Sequence, residues 1–139
     1  MGAEGVAFTP AVLALMSTRA AGRCEGCGRE SARLEAHHRK FRSRGGKGTV
    51  ENGVYLCGWG NHTGCHGIAH GQQDPHVEPR EFGWALGSWE DPAEVPFIDR
   101  RGEIWLFLPD GTKITASEIP EPTSDPWAAP AVAADPWSA

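Results

Sequence analysis

The sequence predicts an α+β fold built around metal sites, with a small antiparallel β extension on its C-terminal side. Three observations carry this expectation. All four cysteines and five of the six histidines lie between Cys24 and His70. That window alternates short strand-like runs with a helical one, and a further helical run precedes it. After Gln73 come more short apolar runs, separated by turn residues.

A chain of 139 residues has room for one domain of about 100 residues plus tails, near the lower end of what buries an adequate core, and a structural metal would make up the shortfall. No uncharged apolar run approaches the roughly 18 residues of a membrane span, so no membrane association is expected. The first 18 residues carry Glu4 but no Lys or Arg, unlike a secretory signal, and a cytosolic location follows as the expectation. In a reducing compartment the close pair and the later pair of cysteines suit metal thiolates better than disulfides. The net charge of −5 conceals an asymmetry: residues 1–73 hold nine Lys and Arg against five Asp and Glu, and residues 74–139 hold four against thirteen. The basic excess surrounds the histidines, where it would attract a polyanion or simply form a solvated surface.

Taken in order, Thr9-Pro10 opens a short helix, with Thr as N-cap and Pro in the first turn. Val12, Leu13, Leu15 and Met16 follow at helical spacing, and Gly22 is its stop. Cys24-Glu25-Gly26-Cys27-Gly28 is a metal knuckle, two residues separating the thiolates. Leu34 to His38 reads as a strand, Phe41 to Gly48 as a basic glycine-containing loop, and Val54 to Leu56 as a second strand. Cys65 to His70 begins a helix that Gly71 ends. Gly83 to Leu86, Val95 to Ile98 and Ile104 to Leu108 are strand candidates, the last followed by the turn Pro109-Asp110-Gly111. From Ile119 the chain is Pro, Ala, Asp and Ser, with two Asp-Pro-Trp copies, and a disordered tail is expected. The organisation is therefore 1–22 helical segment, 23–73 metal module, 74–118 β-rich extension and 119–139 tail.

Two ligand sets interleave. Cys24, Cys27, Cys57 and Cys65 suit a structural Zn²⁺, with residues 58–64 looping out between the second pair; disulfides or free thiols are the alternative. His66 and His70, four apart on a helix, project from one face and can share an ion. The strand end His37-His38 adds a third ligand and a neighbour, because adjacent strand residues point to different sides. A free imidazole beside a cation suits phosphodiester hydrolysis, the imidazole taking a proton from water. Glu35, on the side of His37, would orient an imidazole or sit on the surface. Arg39, Lys40, Arg42, Arg44 and Lys47 are candidate phosphate contacts, which position a backbone without reading sequence.

These segments, Leu34-Glu35-Ala36-His37-His38, Arg42-Ser43-Arg44-Gly45-Gly46, Glu51 to Cys57, and Gly64-Cys65-His66-Gly67-Ile68-Ala69-His70, resemble the HNH endonuclease family in order and content. The resemblance implies the ββα-metal (His-Me finger) nuclease fold, His38 as general base, and His37 with His66 as metal ligands. His70 would be the third ligand, and Asn52, by itself only half of an Asn-Gly turn, would brace the loop and keep His38 oriented. It also implies a DNA substrate and, by likeness to small phage and prophage members, action beside the terminase large subunit or portal of a DNA-packaging machine in a bacterial host. A homing or restriction nuclease is an enzymatic alternative. A zinc knuckle that binds nucleic acid or a protein without catalysis is another, and it leaves the histidines and Asn52 unexplained. Many family members place Asp where this chain has His37, and three imidazoles favour Zn²⁺, Ni²⁺, Co²⁺ or Mn²⁺ over Mg²⁺. Mn²⁺ or Ni²⁺ should therefore support cleavage at least as well as Mg²⁺ in a metal-reconstitution assay; activity with Mg²⁺ alone would contradict the all-imidazole site.

Overall fold

The computed structural model describes residues 5–118; the expected tail, with its two Asp-Pro-Trp copies, lies outside them. Helix α1 spans Pro10–Ala20, and Thr9 caps it, its hydroxyl accepting from the Val12 amide at 3.2 Å. The left-handed position that ends the helix falls on Ala21, φ 53°, one residue before the expected Gly22 stop; its amide donates to the Ser17 carbonyl. Among the apolar residues of α1, Met16 is fully buried.

A buried ion pair joins α1 to the rest. The Arg19 guanidinium makes a two-bond clasp to Glu25 at 2.8 and 2.9 Å and donates to the Val50 and Gly53 carbonyls. Glu25 also accepts from the Tyr55 amide at 2.9 Å. Arg19 and Glu25 thus lock helix, knuckle and strand together with both charges hydrogen-bonded, the condition for tolerating buried ions.

Strands β1 (Leu34–His38) and β2 (Gly53–Cys57) form an antiparallel hairpin in the register Leu34↔Cys57 to His38↔Gly53. Helix α2, Gly64–Ala69, follows and packs on it, giving a β-β-α unit. A second antiparallel sheet comprises β3 (Phe97–Ile98), β4 (Ile104–Phe107) and β5 (Lys113–Thr115) in that order. The class is α+β, as the sequence indicates. Residues 74–118 share the hairpin's core, placing Val77, Trp84, Phe97 and Phe107 among Val54, Leu56 and Ile68. The Trp84 ring stacks on Phe97, 5.6 Å between centroids, and its indole N–H donates to the Ile98 carbonyl.

Two expectations are corrected here. Gly83 to Leu86 is not a strand: Gly83 has φ +76°, and the Trp84 and Ala85 amides both turn back to the Pro79 carbonyl. The run is apolar because it is a buried loop, its one β-bridge to the hairpin's end joining Lys40 and Leu86. Val95 and Pro96 also fall outside β3, Pro96 having no amide proton to pair.

Arg39 is a further correction. The sequence suggests phosphate contact, but the side chain is wholly buried. Its N–H donors reach the carbonyls of Gly83 (2.8 Å), Glu51 (2.9 Å), Pro92 (3.2 Å), Val95 (2.6 Å) and Pro96 (3.1 Å). Burial pushes its pKa down to about 9, which still leaves it charged at neutral pH. Arg39 is the fastener between hairpin and extension. Arg39→Ala, which strands those carbonyls, should cost on the order of 3 kcal/mol or more. Arg39→Lys should recover little of this, since one ammonium has neither the five donors nor the fork. Urea unfolding followed by circular dichroism reads both; a wild-type midpoint in Arg39→Ala would refute the fastening role.

Candidate active site

The four cysteines converge from three elements: the knuckle, the end of β2 and the start of α2. Their sulfurs lie within 4.8 Å of one another. Cys27 and Cys57 are 3.9 Å apart, close to the roughly 3.8 Å edge of a tetrahedron with Zn–S bonds of about 2.3 Å. The cluster's electrostatics fit a cation. The Cys24 thiol falls to about 5 because Cys65 hydrogen-bonds to it; Cys65 is pushed up by that same bond, and Cys57 chiefly by burial. Cys24 thus ionises readily while holding back Cys57 and Cys65, a restraint that a divalent ion among them would release. Closure of the 58–64 loop depends on glycine at its hinge: Gly64 has φ +62°, and a Cβ there would lie 2.5 Å from the Cys57 carbonyl oxygen.

His37, His66 and His70 form the second cluster, one ligand nitrogen from each lying within 4.8 Å of the others. Their ring centroids make a nearly equilateral triangle of 5.1, 5.1 and 4.9 Å. Two rings have their orientation fixed. The His37 Nε2 hydrogen bonds to the Trp84 carbonyl at 2.7 Å, and since a carbonyl only accepts, Nδ1 keeps the lone pair. His66 Nδ1 donates to Glu35 Oε1 at 2.9 Å, leaving Nε2 free. Phe41 stacks on His70 with centroids 4.7 Å apart. Burial drives His37 down to about 3, and burial, ahead of the neighbouring His66 and His62, lowers His70, so both favour the neutral form that binds metal. Three neutral imidazoles with two tethered tautomers fit a divalent ion of the transition series.

Glu35 holds more than His66: the same oxygen accepts from the Gly60 amide at 2.9 Å, so the cysteine loop and the candidate metal ligand share one carboxylate. The hydrogen bond from His66 lowers the Glu35 pKa. Asn52 is fully buried between the ends of the basic loop; its Oδ1 accepts from the Lys40 amide, and its Nδ2 donates to the Lys40 and Lys47 carbonyls.

His38 points away from the triangle, on the alternate side of β1. Its Nε2 donates to the Val6 carbonyl at 2.7 Å, and its ring lies on Phe8. Burial first, and then Arg42, hold the imidazole below its ordinary pKa, against the Val6 carbonyl. Of the basic candidates, Arg42, Arg44 and Lys47 are exposed and Lys40 is half-buried. Arg44 rests on Phe41 and donates to the Leu86 carbonyl. The carbonyls of Trp84 and Val6 escape sequence reasoning, because a backbone acceptor carries no residue signature; only the histidines they orient do.

Residues 24–72, a span holding every one of these ligands together with His38 and Asn52, match the family model described as HNH endonuclease. That span, about a third of the chain, is similar to an HNH domain. No curated protein and no solved structure matches the chain. The likeness is to a nuclease family, and within the matched span Cys24, Cys27, Cys57 and Cys65 are grouped as a site suited to zinc. No helix among the described residues is long and apolar enough to cross a membrane.

Within the matched span the two sites should separate by mutation. Glu35→Gln, which exchanges the acceptor at His66 for a weaker one, should lower affinity at the histidine site roughly 10- to 100-fold in calorimetric titration with Mn²⁺ or Ni²⁺. Cys24→Ser should instead unfold the domain or sharply lower its melting temperature, because structural zinc binding is folding free energy. Equal losses of stability in the two variants would contradict the division.

Proposed function

We propose that this protein is a metal-dependent DNA endonuclease that nicks or cuts duplex DNA by phosphodiester hydrolysis. The observation that carries the reading is the back-to-back pair His37-His38: one imidazole turned into a three-histidine cluster, the other held outside it with a lone pair free. His37, His66 and His70 would hold the catalytic ion. When bound, the ion supplies Lewis-acid stabilisation of the charge that builds on the phosphate and the departing oxygen.

The chain's own residues do the rest. With Nε2–H committed to Val6, the His38 Nδ1 takes a proton from the attacking water, and its lowered pKa keeps it unprotonated at neutral pH. Arg42, whose charge reaches His38, and Arg44, Lys47 and Lys40 on the same loop would grip phosphates and set the scissile one against the base. Asn52 holds that loop closed. The partner expected in a phage packaging machine, a terminase large subunit or portal, rests on the resemblance alone.

A supercoiled-plasmid assay tests this, using protein that keeps its structural zinc and is supplied in turn with Mg²⁺, Mn²⁺, Ni²⁺ or Zn²⁺. His38→Ala should lose about 10²- to 10⁴-fold in rate while binding both metals, the range expected for a general base. His66→Ala should lose the second ion as well. A fully active His38→Ala would overturn the base assignment; DNA binding without cutting under every ion would favour the non-catalytic zinc knuckle. Replacing Arg42 and Arg44 together with Ala should weaken binding for all sequences and flatten its salt dependence by about two phosphate contacts.

A further inference from the structure

The segment Gly5 to Phe8 lies outside the matched span of residues 24–72, yet it touches the residue on which the chemistry turns. Three contacts fix it. The Gly5 carbonyl accepts from the Gly48 amide at 2.7 Å, tying the segment to the end of the basic loop. The Val6 carbonyl accepts from His38 Nε2 at 2.7 Å. The Phe8 ring stacks on the His38 imidazole, with centroids 4.1 Å apart and planes inclined by 23°.

The fit requires two glycines. Gly53 pairs with His38 across the hairpin, and a Cβ there would crowd the Met16 thioether first and then Phe8 Cε1 at 2.9 Å, so the bare position leaves room for both side chains. A Cβ at Gly48 would run into the Ala7 carbonyl, so the segment lies directly on the loop backbone. One residue after Phe8 comes the cap of α1, which the buried Arg19 and Glu25 pair anchors to β2. The segment is therefore held at both ends.

We infer that residues 5–8 are a clamp that positions the general base: Val6, through its carbonyl, and Phe8, through its ring, hold the His38 imidazole in the orientation that leaves Nδ1 facing outward. Both are positioning residues, acting through His38. The inference rests on the nuclease reading for its catalytic consequence but not for the clamp. A lone imidazole at a strand end has a free χ2, and a base misplaced by about 1 Å can lose 10²-fold in rate. Stacking fixes the ring plane, and the carbonyl chooses which nitrogen faces out. The matched span in this chain thus borrows part of its active site from the segment that precedes it.

The test uses the full chain with Phe8→Ala, Phe8→Tyr and Gly48→Ala, the last pushing the segment off the loop without touching His38. Long-range ¹H–¹⁵N spectra of the imidazoles report the His38 tautomer directly, and kcat, KM and bound metal are measured alongside. Wild type should show one tautomer, with the proton on Nε2. Phe8→Ala and Gly48→Ala should mix the tautomers and lower kcat by about 10- to 100-fold, with KM and both metals unchanged. Phe8→Tyr should behave as wild type. A wild-type His38 protonated on Nδ1, or a Phe8→Ala and Gly48→Ala pair with wild-type tautomer and kcat, would overturn the clamp. A wild type with the Nε2–H tautomer that cuts no DNA would uphold the clamp and sink the nuclease reading.

Discussion

The four-cysteine cluster is the constraint on which the rest depends. Helix α2 has six residues, Gly64–Ala69, far too few to be stable alone. Its first turn carries Cys65, gathered with Cys24, Cys27 and Cys57, and the next residue is His66. Fixing Cys65 therefore fixes the direction of His66 and, one turn on, of His70, both toward the His37 side of the hairpin. The cysteine cluster sets the geometry of the histidine cluster through a single peptide bond. Glu35 reinforces the link by holding both His66 and the Gly60 amide of the cysteine loop.

From that anchor the fold reads outward as a set of backbone carbonyls positioning imidazoles and guanidiniums. Trp84 orients His37, Val6 orients His38, and five carbonyls hold Arg39. Each tether brings a segment outside the hairpin into the site. The C-terminal extension supplies Trp84 and most of the acceptors around Arg39, so its tryptophan and phenylalanine core is what sets the tautomer of His37. No buried side-chain polar atom among the described residues lacks a partner, consistent with a site held by fully satisfied bonds.

The two side-chain clusters are legible in the sequence because metal chemistry, on which their prediction rests, restricts both residue type and spacing. Cys24 and Cys27 three positions apart, His66 and His70 four apart, and adjacent His37 and His38 on alternating strand faces together make a pattern that core packing does not demand. The hairpin is legible for the same reason, its strands being bounded by those residues. Arg39 misleads, because a basic residue in a basic stretch looks solvated until the five carbonyls that surround it are in view. Gly83 to Leu86 misleads because burial, rather than pairing, makes it apolar, and period alone does not separate the two. Lys113–Thr115 carries no strand signal of its own, being three residues of mixed polarity that become a strand only beside β4. The roles of Val6 and Trp84 are invisible in the sequence, since any residue supplies a carbonyl.

One hairpin, the knuckle before it and one short helix thus gather two candidate ligand sets, four cysteines and three histidines, joined through Cys65 and His66. Anomalous diffraction from crystals grown with Zn²⁺ and Mn²⁺, collected at both absorption edges, tests most directly whether each set holds its own ion. The expected result is a zinc peak enclosed by Cys24, Cys27, Cys57 and Cys65, and a separate peak bound by His37 Nδ1, His66 Nε2 and His70. A single peak, or a second ion bound away from these histidines, would contradict it.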